Sequence, residues 1–135
     1  EGILPGGGVA LLRASKVLEN IDLSGDEAIG ADILRRALRR PLSQIAKNAG
    51  KEGAVMLEKV EQEEGNFGYN AATDKLGDLV KDGVVDPTKV VRTALENAVS
   101  VASVLLSTDA VVGDLPEEDD EEETTEKDSE DKEDK

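Results

Sequence analysis

Residues 86–107 read DPTKVVRTALENAVSVASVLLS, and this stretch decides the fold class. Val90, Val91, Ala94, Leu95, Ala98, Val101, Ala102 and Leu105 recur at steps of three and four, which lays them along one wide face of a helix. Asp86 suits the N-cap, because its carboxylate can accept from a first-turn amide. Pro87 suits the first helical position, where no amide is needed. The spacing predicts a helix over 87–107.

Upstream, the same periodicity recurs in shorter pieces. Residues 1–8, EGILPGGG, form a glycine-rich loop, and from Val9 an apolar helical pattern takes in Leu11, Leu12, Val17 and Leu18. After a loop over 20–25, Ser24 or Asp26 is expected to cap a second helix carrying Ile29, Ile33, Leu34, Ala37 and Leu38. Pro41 bends or restarts that helix, since proline lacks an amide and restricts the residue before it. A third helix holds Leu42, Ile45 and Ala46 and stops near Gly50; a fourth, over 54–62, holds Val55, Met56, Leu57 and Val60. Residues 65–73, GNFGYNAAT, place both aromatics of the chain among Gly and Asn, a hairpin or tight-loop composition. A short helix through Leu76, Leu79 and Val80 is expected to end at Gly83, and Ala110–Val112 to form a short strand. The fold class is mainly all-α, multi-helical, with a small β-hairpin and a short strand.

Composition narrows the chemistry. The chain has 135 residues, 31 acids against 16 bases and a net charge of −15, with no Cys, His or Trp and one each of Tyr, Phe and Met. No Ser-His-Asp or Cys-His nucleophile, structural zinc site or disulfide can be built from it. Two aromatics require an aliphatic core, which suits packed helices or a piece of something larger. Residues 117–135 carry 13 acids and 3 lysines, net −10, leaving −5 for residues 1–116. That acidic tail has almost no apolar side chain and is expected to be disordered. The net charge argues against nucleic acid as a partner, and no apolar run approaches the roughly 20 residues of a membrane span. The N-terminus has no initiator Met, basic segment or signal-type apolar stretch, so the expectation is a start inside a longer reading frame.

Three features are candidates for chemistry, each with a plainer alternative. Gly6-Gly7-Gly8 leads into a helix, which suits close approach of a phosphate or nucleotide edge, or equally a flexible helix start. It lacks the spacing of either standard phosphate-loop motif. Asn70-Ala71-Ala72-Thr73 could present an amide and small side chains to a planar base, or Asn70 or Thr73 could cap the next helix. Asp86 could accept from ribose hydroxyls or serve as the N-cap. Arg35, Arg36, Arg39 and Arg40 form two i,i+4 pairs, read as a solvated face or an ion-pairing subunit surface rather than a phosphate site. Nothing in the spacing picks out a catalytic pair, and no metal-ligand set stands out.

These segments resemble the C-terminal part of the group I chaperonin family, the Hsp60 or GroEL type. The matching strings are EGILPGGGVALLRA at 1–14, IGADILRRAL at 29–38, PLSQIAKNAG at 41–50 and GNFGYNAATDKLGDLVKDGVVDPTKVVRTALENAVSVASVLLSTDAVV at 65–112. The resemblance implies that residues 1–116 are the second half of an all-helical equatorial ATP-binding domain, followed by the tail at 117–135. It assigns Gly6 and Gly7 to the adenosine part of ATP or ADP, Asn70, Ala71 and Ala72 to the base, and Asp86 to the ribose or base edge. It also implies that Mg2+, K+, the phosphate loop and the hydrolytic aspartate belong to parts of the family not present here. The implied parent hydrolyses ATP to fold non-native proteins inside stacked seven-membered homo-oligomeric rings closed by a co-chaperonin lid, in the bacterial cytoplasm or an organelle matrix. The tail departs from the family's common Gly-Met-rich repeat. A different reading of the residues is a stand-alone helical interaction module whose acidic tail binds basic partners.

Overall fold

Two close approaches that only glycine permits set the centre of the fold. Gly8, immediately before α1 (Val9–Ser15), has φ +79°, and a Cβ there would stand 2.6 Å from the backbone nitrogen of Leu42 and 2.9 Å from its Cα. The start of α1 therefore lies directly on α3 (Arg40–Asn48). Gly68, in β2 (Phe67–Asn70), faces the Val9 and Leu79 side chains so closely that a Cβ would collide with both. The residues drawn together this way are the core: Val9, Leu12, Leu42, Ala46, Val60, Tyr69 and Leu79 are all buried in one cluster. Burial of each Val or Leu of the cluster is worth about 1.5–3 kcal/mol before entropy is charged against it. The core is aliphatic, as expected, with the chain's one Tyr at its edge.

The computed structural model describes residues 1–113 of the chain. The expected disordered tail, 117–135, and the last residues of the expected 1–116 domain lie outside them. The chain divides into two compact units at Ser100 and Val101. The described part is mostly helical, with a few short strands. No helix among the described residues is long and apolar enough to cross a membrane.

In the first unit, α1 runs on into a 3₁₀ turn over Lys16–Asn20. α2 (Asp26–Leu38) has acids in its first turn and Arg35 and Arg36 in its last, the arrangement the helix dipole favours. Its N-cap is Gly25, with no side-chain capping bond, so neither Ser24 nor Asp26 caps it. Pro41 restarts the chain as α3, standing in the first turn where its missing amide is harmless. In α4 (Gly53–Glu61) the Glu52 carboxylate accepts from the Ala54 amide at 3.5 Å. Its C-terminal carbonyls are met from α1 and the 3₁₀ turn after it: Arg13 Nη1 donates to Val60 O at 3.0 Å and Lys16 Nζ to Glu61 O at 3.3 Å. Cations at a helix C-terminus satisfy orphan carbonyls and oppose the dipole together.

Residues 3–5 of the expected glycine-rich loop form a strand, and three further expectations fail here. Residues 76–83 are not a helix. Lys75–Asp78 form β3, antiparallel to β2, with Tyr69 opposite Leu76 and Asn70 opposite Lys75. The apolar steps at Leu76, Leu79 and Val80 fit a helix locally, but Leu76 is taken up by strand pairing and Leu79 by the core. The Asp78 carboxylate then accepts the Val80 and Lys81 amides at 3.1 and 3.2 Å, turning the chain instead of winding it. Second, β4 (Val85–Pro87) precedes α5 (Thr88–Leu106), so Asp86 is a mid-strand residue opposite Leu4 and Pro87 is the last strand residue. Asp86 is therefore not the N-cap. Third, Ala110–Val112 has no ladder partner among the described residues and is not a strand; Val111 and Val112 are exposed. A single extended segment leaves its backbone groups to water.

Candidate functional site: three strings brought to one place

The β1–β4 pair does the first part of the assembly. β1 (Ile3–Pro5) lies antiparallel to β4. Where β1 ends, the Gly6 amide donates to the Val84 carbonyl at 2.9 Å, so the glycine turn and the segment leading to Asp86 run side by side. The same turn also touches the hairpin. A side chain at Gly7 would abut the Leu79 Cδ1 methyl at 3.1 Å and the Tyr69 carbonyl oxygen at 3.4 Å. Tyr69 immediately precedes Asn70. Thus Gly6 and Gly7, the Asn70 turn and the Asp86 strand, up to 80 residues apart in sequence, are structural neighbours.

Asn70 is buried at the end of β2, and its side chain is heavily committed. Oδ1 accepts the Ala72 amide at 3.1 Å and the Thr73 amide at 3.3 Å, and Nδ2 donates to Asp82 Oδ2 at 3.3 Å. The side chain caps a turn inside the hairpin, not a helix. Ala71 and Ala72 ride on that turn, exposed. The next corner is Asp74, whose φ of +56° is the one positive value at a non-glycine position among the described residues. Its carboxylate is pinned on both oxygens: Lys51 Nζ reaches Oδ2 at 2.7 Å, and the Tyr69 hydroxyl donates to Oδ1 at 3.0 Å. Lys51, then the Tyr69 hydroxyl, holds the Asp74 carboxyl below its ordinary range, while the Lys51 ammonium is pushed up by the same pairing. Burial first, and then the facing Asp74 carboxylate, pushes the Tyr69 phenol up.

Asp86 is half-buried, and its carboxylate has no hydrogen-bond or ion-pair partner among the described residues. The Gly7 and Gly8 amides likewise meet no acceptor there. The neighbourhood thus offers a free carboxylate, which accepts from hydroxyls, beside free backbone donors and a small-residue turn. No group of three or more acids that could hold a metal ion occurs among the described residues.

The arginines at the end of α2 and at its junction with α3 go elsewhere. Arg35 pairs with Asp32 at 2.7 Å, Arg36 with Asp32 at 2.8 Å, and Arg39 with Glu61 at 2.6 Å. Arg35, Arg36 and Arg39 thus pair within the chain, while Arg40 is exposed and has no ion-pair partner among the described residues. Three residues escaped the reading of the sequence: Lys51, Asp74 and Asp82. Asp82 lies 12 residues from Asn70 with nothing in its own neighbourhood to single it out, because only the fold brings the two together.

Comparison with known proteins agrees with this architecture. The sequence model of the TCP-1/cpn60 chaperonin family matches residues 1–116. The chain belongs to the TCP-1/cpn60 chaperonin family. Among solved structures, this chaperonin chain is similar to a group III chaperonin crystallised in its open state, with a TM-score of 0.75 and 33% identity. The match covers 82% of this chain and 24% of that one, so the chaperonin chain spans about a quarter of the length of its structural relative.

Proposed function

We propose that this chaperonin chain is a segment of a group I, ATP-driven folding chaperonin and supplies the nucleoside half of its nucleotide pocket. The observation that carries the reading is the convergence of the PGGG turn, the YNAA turn and the DPTK strand on one place. The residues present fit the group. A ribose or base edge needs an acceptor without a partner, which Asp86 is; a flat ring needs small neighbours, which Gly6, Gly7, Ala71 and Ala72 are, and free backbone donors, which Gly7 and Gly8 offer.

When bound, ATP supplies the phosphoryl transfer whose energy drives the ring between its states. The work of this chain is binding and orientation. Asp86 accepts from the sugar hydroxyls or the base edge. Ala71 and Ala72 lie against the base on a turn whose shape Asn70 fixes, and the glycine turn lets the backbone come close to the adenosine. Mg2+ and K+ are held by residues outside this chain, as are the phosphates. The chain also contributes contacts within a homo-oligomeric ring, which encloses non-native proteins under a co-chaperonin lid. The stand-alone interaction module has no structural observation in its favour, since its acidic segment lies outside the described residues.

The test uses the full-length protein that carries this segment. Asn70→Ala and Asp86→Ala together raise the KM for ATP at least tenfold, the loss of about 1.4 kcal/mol or more of binding. An unchanged KM in a protein that still assembles rejects the site.

A further inference from the structure

Asn70 can hold the Ala71–Ala72 turn only if its amide faces one way. Both lone pairs of Oδ1 are engaged, by the Ala72 and Thr73 amides, so the amide must present its NH2 toward Asp82. Asp82 Oδ2 stands there at 3.3 Å. An amide rotated by half a turn would set Oδ1 against that carboxylate and NH2 against two backbone donors, losing three hydrogen bonds at once.

Asp82 is itself held by the backbone around it. Its amide donates to Asp78 O at 3.1 Å, the Gly83 amide to Val80 O at 3.2 Å, and the Val84 amide to Leu79 O at 2.8 Å, with Gly83 at φ +76°. Two residues on, the Val84 carbonyl accepts from Gly6. Residues 82–86 thus touch the Asn70 turn at one end, the glycine turn in the middle, and carry Asp86 at the other.

We propose that Asp82 is a positioning residue for nucleoside binding: its carboxylate fixes the orientation of the Asn70 amide, and through it the backbone of Ala71 and Ala72. The inference rests on the nucleotide reading above and adds a residue outside the three strings that reading uses. It also alters the role of Asn70. With Oδ1 fully used and one Nδ2 hydrogen given to Asp82, one N–H remains for a ligand, so Asn70 acts mainly through the turn it shapes.

The experiment is steady-state ATP hydrolysis by the full-length protein, with assembly checked for each variant. Asp82→Ala raises KM about three- to tenfold, as loss of one typical solvent-accessible hydrogen bond implies, with kcat within twofold. Asp82→Asn keeps an acceptor toward Asn70 and restores KM to near the parent value. Asn70→Asp puts two carboxylates face to face and raises KM. The exchange Asn70→Asp with Asp82→Asn reverses the donor and acceptor while leaving Oδ1 free to cap Ala72 and Thr73, and it recovers most of that loss. If Asn70→Ala raises KM while Asp82→Ala does not, or if the exchange is no better than Asn70→Asp alone, the positioning role is overturned and the nucleoside site stands. If KM is indifferent to Asn70→Ala, Asp86→Ala and Asp82→Ala alike, the site itself falls, and the positioning role with it.

Discussion

At the scale of single residues, the hairpin corner shows how much local charge hangs on one carboxylate. Asp74 occupies a backbone conformation disfavoured for an L side chain, and it stays there with Lys51 on one oxygen and the Tyr69 hydroxyl on the other. Because its pKa is lowered from 3.8 on folding, the stability it contributes is present above that value and is lost as pH falls through the lower, folded one. The destabilisation caused by Asp74→Asn therefore shrinks as acid is added below about pH 4. Tyr69 behaves in the opposite sense. Its pKa is raised from 10.0, so its contribution is full below pH 10 and is lost as pH rises through the folded value. As the one Tyr of the chain, its phenolate absorbance can be followed alone, and it titrates above 10. Asp74→Asn brings the midpoint part of the way back, since burial remains. A midpoint that Asp74→Asn leaves unmoved contradicts the contact.

At the scale of elements, the helices were visible in the sequence and their attachments were not. Periodicity located α1 to α5 because amphipathic spacing is a local signal, and Pro41 and Gly50 punctuated α3 for local reasons. What joins the elements is a long-range contact such as that of Arg13. From α1 its guanidinium reaches Val60 O at 3.0 Å, Gly65 O at 3.3 Å and Phe67 O at 3.2 Å, tying the end of α4 to the start of β2. Burial lowers its pKa below the ordinary guanidinium range, while Glu64, Glu61 and Glu63 act to raise it. Arg13→Met keeps most of the side-chain volume and orphans three carbonyls, at a cost of about 2–3 kcal/mol in chemical denaturation of the chain. Arg13→Lys recovers only part of it, because a single ammonium cannot span the three. A Met variant within about 0.5 kcal/mol of the parent would show that water serves those carbonyls equally well. The missed strand β3 has the same cause as the missed contacts. Leu76 and Leu79 carry helical spacing, but their partners, β2 and the core, lie elsewhere in the chain.

At the scale of the whole molecule, many aliphatic side chains of each unit are exposed among the described residues. In the first unit Ile29, Ile33 and Val90 are exposed; in the second Val101, Val104 and Leu105 are, and Leu106 is 86% and Val112 97% accessible. Scattered exposed aliphatics are ordinary, but such a set in a chain of 135 residues with two aromatics is not. The chain spans 24% of the length of its structural relative. The 135-residue chain by itself is accordingly expected to associate with rising concentration in sedimentation experiments and to bind an apolar dye. A strictly monomeric, dye-silent chain would mean that these faces need no cover.

Composition and spacing by themselves determined that the chain is helical, that its core is aliphatic and that catalysis by His or Cys is closed to it, while the family resemblance, not spacing, singled out the PGGG, YNAA and DPTK strings. Those are properties of single residues and of neighbours in sequence. Only the tertiary structure decided that Asp86 pairs in a strand with Leu4 instead of capping a helix, that Asn70 caps a turn held by Asp82, and that all three strings meet. The physical reason is the same in each case. A cap, a helix face or a turn is settled within a few residues, whereas a strand partner or a side-chain acceptor 12 to 82 residues away is supplied by packing. No local pattern carries that information.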